Sequence, residues 1–140
     1  MSWLLDVNFI LASRWTTHPQ HAAAKSWIAS AGAFATCAIS ELGFVRISLG
    51  PAYQAGWIAV QESLHKLHQR PGHNFVADDL DGTDSPETAS KDTTDAHLIT
   101  LARRHGMKLA TLHSELVSKP WVAGVAENPL LPSKAPAPGT

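Results

Sequence analysis

The sequence predicts an α/β domain built on a mainly parallel sheet of four to five strands. Short apolar runs alternate with stretches of helical spacing along most of its length, as in chains that return each strand through a covering helix. Of its 140 residues, 44% are hydrophobic and 16% charged, enough for one core that folds without disulfides or a structural metal. Its acids of chemical interest fall where strands end and helices begin.

Trp3-Leu4-Leu5 reads as a short buried strand ending at Asp6, and Phe9-Ile10-Leu11 opens a helix that His18-Pro19 breaks. A second helix is expected over about 20–31, with Ala23, Trp27 and Ala31 as its stripe and Gly32 as its stop. Residues 33–37 form the second strand. Leu42, Val45 and Leu49 then recur at helical spacing until Gly50-Pro51, and Trp57, Val60, Leu64 and Leu67 mark a further helix ending near Arg70-Pro71-Gly72. Asn74-Phe75-Val76-Ala77 is a third strand, followed by a polar loop to about Asp92. Thr94 is the expected N-cap of a helix over 95–105 carrying Leu98, Ile99, Leu101 and Ala102, which Gly106 closes. Residues 108–112 form the fourth strand and 121–125 a short fifth at the sheet edge. The domain thus spans 1–127. Four prolines from Asn128 on predict a flexible tail over 128–140.

Several function classes are excluded or disfavoured. No apolar run is long enough to span a bilayer, and Met1-Ser2-Trp3-Leu4-Leu5-Asp6 has no basic start, so a cytoplasmic protein without membrane attachment is expected. Cys37, the single cysteine, lies in an apolar context and reads as a small buried hydrophobe, not a reactive thiol. His18-x-x-His21 and His65-x-x-His68 share helical faces but lack a Glu motif or nearby Cys ligands, which points away from zinc. The net charge of −1 conceals a segregation: residues 78–95 hold seven acids and one base, leaving ten bases and five acids elsewhere. A basic body suits a polyanionic partner, for which Arg14, Lys25, Arg46, Arg103, Arg104, Lys108 and Lys119 are candidate contacts. The acids from Asp78 to Glu87 read as a solvated loop.

Three acids are placed differently. Asp6 ends the first strand, Glu41 lies in the first turn after the second, and Asp95 opens the helix before the fourth. In an open parallel sheet these positions share the carboxyl rim, where ligands gather. Crowded carboxylates raise one another's pKa, an arrangement that a bridging divalent cation makes favourable; oxygen ligation suits Mg²⁺ or Mn²⁺. Taken singly, each acid has an alternative reading as a helix N-terminal residue complementing the macrodipole. A phosphoacceptor role for Asp6 is disfavoured, because Asp6-Val7-Asn8 lacks the second acid of an Asp-x-Asp pattern.

The segments Leu4-Leu5-Asp6-Val7-Asn8-Phe9-Ile10-Leu11, Ala35 to Arg46 with Ser40-Glu41-Leu42-Gly43, Thr94-Asp95-Ala96-His97-Leu98, Leu101 to Gly106 and Leu109-Ala110-Thr111 occur in order over about residues 3–116. Together they resemble a PIN-domain ribonuclease of the VapC toxin type. The resemblance implies a three-layer α/β/α sandwich, metal-dependent cleavage of RNA, a cognate antitoxin that blocks the site, and a homodimer. It assigns Asp6, Glu41 and Asp95 to the acidic metal site and Asn8 to the polar position that orders the first acid. One position departs: where the family pattern is Thr-x-Asp, this chain reads Thr111-Leu112-His113. A neutral imidazole there can bind Mn²⁺ or relay a proton but is a poor ligand for Mg²⁺. Glu115 and Asp92 are the nearby carboxylates able to substitute for the missing acid. A weakened module that binds RNA or a partner protein is the alternative function.

Overall fold

In the computed structural model, residues 2–84, 90–122 and 124–131 are described. The elements run β1 (Trp3–Leu5), α1 (Val7–Arg14), α2 (His21–Ser30), β2 (Phe34–Cys37), α3 (Ala38–Leu49), α4 (Trp57–His68), β3 (His73–Val76), α5 (Thr93–Arg104), β4 (Lys108–Ala110), α6 (Ser114–Val117) and β5 (Ala126–Glu127). The strands form one sheet in the order β3-β2-β1-β4-β5, every pair parallel. Leu4 of the central strand lies level with Ala35 on one side and Leu109 on the other.

Alternation of side chains along the strands builds two cores. Leu4, Ala35, Cys37 and Leu109 face α5 and join Leu98, Ile99, Leu101 and Ala102. Leu5, Phe34 and Ala110 point the other way, into a cluster with Phe9, Ile10, Ala24, Ile28, Phe44, Val60 and Leu67 from α1 to α4. Helices thus cover both faces, as the expected α/β/α sandwich requires. Cys37 is fully buried, in agreement with its sequence reading.

The helical stripes differ from those the sequence suggested. In α2, Ala24 and Ile28 are buried, and Trp27 is half-buried, edge-on to Trp3 and Phe9. The buried stripe of α3 is Ser40, Phe44 and Ser48, leaving Leu42 and Leu49 exposed; in α4 it is Val60, Ser63 and Leu67, with Trp57 exposed. Hydrogen bonding explains this. The Trp15 Nε1–H donates to Ser48 Oγ at 2.8 Å and Arg14 Nε–H to Ser63 Oγ at 2.9 Å, so these serines satisfy donors that enter the core from α1.

Three further expectations change. The fifth strand is Ala126–Glu127, because Pro120–Val122 curls into a 3-10 turn that buries Val122. Asp92, not Thr94, precedes the first residue of α5. The loop after β3 is pinned rather than merely solvated: Asp78 bonds His97, and Asp79 pairs with Arg104, both on α5. Residues 85–89 of that loop, and 132–140 of the expected tail, lie outside the described residues. Within 128–131, Leu130 packs on the core of α1 to α4.

Gly43 sets how closely α3 approaches α1, since a Cβ there would fall 2.5 Å from Val7 Cγ2. Overpacking costs about 1–3 kcal/mol, and Ala gains about 1 kcal/mol over Gly in helix propensity. Gly43→Ala is therefore expected to destabilise the fold by about 1 kcal/mol, read as a lower urea midpoint at unchanged slope.

Candidate active site

Asp6 leaves β1 and becomes the N-cap of α1, its Oδ1 accepting the Val7 N–H at 2.8 Å. The dipole reading and the site reading of this residue therefore coincide. Its Oδ2 accepts from Thr111 Oγ1, at 2.8 Å, just beyond β4. Thr111 Oγ1 in turn accepts from Asn8 Nδ2 at 3.3 Å and from the His113 N–H at 3.1 Å, while Asn8 Oδ1 takes the Leu112 N–H at 3.0 Å. Asn8 thus clamps the exit of β4 to the start of α1 and fixes the hydroxyl that orients Asp6. The family resemblance anticipated Asn8. Thr111 was visible only as part of a motif, since the Asp6 contact spans 105 positions.

Only 4% of Asp6 remains accessible. Burial raises its carboxyl pKa from 3.8 to about 6, and the Asp95 charge adds to the rise; the Thr111 and Val7 hydrogen bonds and His113 work against it. Asp95 is also raised, first by burial and then by Asp92, with His113 and Lys119 opposing. His113, a half-exposed side chain at the N-cap of α6, places Nδ1 3.5 Å from Asp95 Oδ2 and Nε2 3.9 Å from Glu115 Oε2. Two carboxyls and an imidazole from three separate elements therefore converge on one site.

The other candidates are placed elsewhere. Asp92 is buried in an ion pair with Lys119 at 2.9 Å, so its carboxylate neutralises a cation and acts on Asp95 only through its field. Glu115 is exposed. Glu41 turns toward β3 rather than toward Asp6: its Oε2 accepts from Thr36 Oγ1 at 2.5 Å and from His68 Nε2 at 2.8 Å. His73 Nε2 lies 2.8 Å from the same Thr36 hydroxyl. The histidine pKa there is lowered by burial and by His68, against the pull of Glu41. Local spacing gave no signal for this group, because His68 and His73 flank a helix-to-strand turn instead of sharing a helical face.

Five of the seven proposed phosphate contacts have intramolecular partners. Arg14 bonds Ser63, Arg103 the Trp121 and Val122 carbonyls, and Arg104, Lys108 and Lys119 pair with Asp79, Glu127 and Asp92. Arg46 and Lys25 are exposed.

Asp6 and Asp95, two carboxyls raised by burial, and the His113 imidazole beside Asp95 are oxygen and nitrogen donors of the kind a divalent cation takes.

Comparison with known proteins identifies the family. The family model described as PIN domain matches residues 3–119. Ribonuclease VapC38 of Mycobacterium tuberculosis is 38% identical over 116 residues, covering 77% of this chain and 82% of the relative. Ribonuclease VapC39 of the same species is 35% identical over 133 residues, covering 83% and 91%. The crystal structure of M. tuberculosis VapC20, described as a Sarcin-Ricin loop cleaving toxin, superposes with a TM-score of 0.63 at 13% identity, over 82% of this chain and 92% of that one. The last comparison bears on the fold alone, whereas the first three place the chain itself: it belongs to the PIN domain family, among the VapC-type ribonucleases.

Proposed function

We propose that the protein is the toxin of a toxin–antitoxin pair, an endoribonuclease that cleaves RNA phosphodiesters with Mg²⁺ or Mn²⁺ held by Asp6, Asp95 and His113. The observation that carries this reading is the buried Asp6 carboxyl, fixed by Thr111 and Val7 at the end of β1, with Asp95 and His113 acting on it. A cation bound there would lower the pKa of a water and neutralise charge developing on the phosphodiester. Thr111 and Asn8 hold Asp6 in one orientation, so its oxygens need not reorganise as charge shifts. His113 presents a ring nitrogen 3.5 Å from Asp95. Single-stranded or looped RNA is the accessible substrate class, because its backbone can be bent toward the site.

The reading includes a cytoplasmic setting, a homodimer and an antitoxin. Among the described residues no helix is long and apolar enough to cross a membrane. Leu42 and Leu49 on α3 and Trp57 and Ile58 on α4 are exposed, an apolar surface suited to a partner segment. Trp27 is not part of it, being packed on Trp3 and Phe9.

A cleavage assay on total RNA tests the reading. Fragments are expected with Mn²⁺ and none with EDTA, and co-expression with the product of a neighbouring small gene should suppress growth arrest. His113 in place of an acid favours one rival, a weakened module that binds RNA or protein without cutting. RNA retention on a filter with no cleavage under either metal would establish the rival.

A further inference from the structure

We propose that Glu41, His68 and His73 form a second cation site, selective for Zn²⁺ and separate from the Asp6–Asp95 site. The proposal does not depend on the preceding assignment, since it uses none of Asp6, Asp95 and His113. One ligand atom from each of these three residues lies within 4.8 Å of the others. Two imidazoles and one carboxylate are the donor set of open zinc sites, where a fourth position is left to water. Oxygen-seeking Mg²⁺ is disfavoured by the two nitrogens.

The local fold preorganises the group. Glu41 is in the first turn of α3, His68 is the last residue of α4 and His73 the first of β3. The turn between the histidines includes Gly72 at φ +87°, where a Cβ would fall 1.9 Å from the Gly32 carbonyl oxygen. Only glycine fits this approach of the turn to the start of β2. It sets the two rings 4.8 Å apart and tilted by 31°. His73 is held edge-on to Phe34 at 5.5 Å, and Thr36 orients Glu41. Zinc ligands about 2.0–2.1 Å from the ion stand roughly 3.4 Å from one another, so small side-chain adjustments bring the donors to zinc geometry. The Thr36 hydroxyl has one proton. Directed to Glu41, it leaves His73 Nε2–H as the donor to Thr36 Oγ1. Zinc binding therefore moves the neutral imidazole proton to Nδ1, while the Thr36 bond to Glu41 is kept, a supporting contact typical of metal ligands. His68 is exposed, leaving a route for the ion.

Calorimetry with Zn²⁺ on the full chain, together with Co²⁺ absorption as a probe of tetrahedral ligation, tests this. One equivalent of Zn²⁺ should bind, His68→Ala and His73→Ala should each weaken it by at least 30-fold, and Asp6→Asn should leave it within threefold. His68 is on the surface, so its variant will fold even if that of His73 does not. Unchanged zinc affinity in His68→Ala, or loss of zinc in Asp6→Asn with retention in His68→Ala, would overturn the site. If RNA is cleaved without metal dependence yet zinc still binds, the site stands and the catalytic assignment fails.

Discussion

Asp6→Asn is expected to lower RNA cleavage by roughly 10³-fold and, at the same time, to stabilise the metal-free protein. In the folded chain the carboxyl is raised from 3.8 to about 6 because burial disfavours its charge. A raised carboxyl means that the folded state binds the proton more tightly than the unfolded chain. The penalty on folding is therefore full above about pH 6 and fades as the pH falls toward 4. A difference of this size corresponds to roughly 3 kcal/mol. Asn avoids the charge but places an amide where Asp6 accepted from both Val7 N–H and Thr111 Oγ1, losing about 1 kcal/mol for one mismatched bond. The net gain should be about 1–2 kcal/mol at pH 7.5 and vanish near pH 4.5, measured by urea unfolding in EDTA. Adding Mn²⁺ should stabilise the parent and not the variant, because a ligand stabilises only the state that binds it. Unchanged Mn²⁺ affinity by calorimetry would falsify the assignment of Asp6 as a ligand.

Metal choice is expected to depend on His113. Its imidazole lies 3.5 Å from Asp95 at the place where the family pattern has an acid. A nitrogen donor favours Mn²⁺ over Mg²⁺, so the parent should cleave about tenfold faster with Mn²⁺. Loss of a ligand or its supporting group typically costs 10–100-fold, the range expected for His113→Ala in Mn²⁺. His113→Asp restores an oxygen donor and should raise the Mg²⁺ reaction by about tenfold. Should His113→Ala match the parent with both metals, His113 is a bystander and Glu115 becomes the next position to test. Asp92 is not, since Lys119 already occupies its carboxylate.

The positions of the strands and of Asp6, Glu41 and Asp95 were legible in the sequence because they depend on local pattern: an apolar run, an acid, then a helical period. Asn8 and His113 were legible only through the family resemblance. The helical stripes were not, because polarity alone does not say that Ser48 and Ser63 are buried to satisfy Trp15 and Arg14 from another helix. The fifth strand moved to Ala126–Glu127 because only there does the chain return beside β4, after a turn whose Val122 fills the core. The sequence also could not separate the three acids. All sit at or near helix starts on the same rim, yet packing sets His113 against Asp95, within the field of Asp6, and turns Glu41 toward His68, His73 and Thr36. Residue type and order determined that carboxylates stand at the rim of a parallel sheet. Which carboxylates share a site was decided by contacts between residues far apart in the chain, whose energies no local window contains.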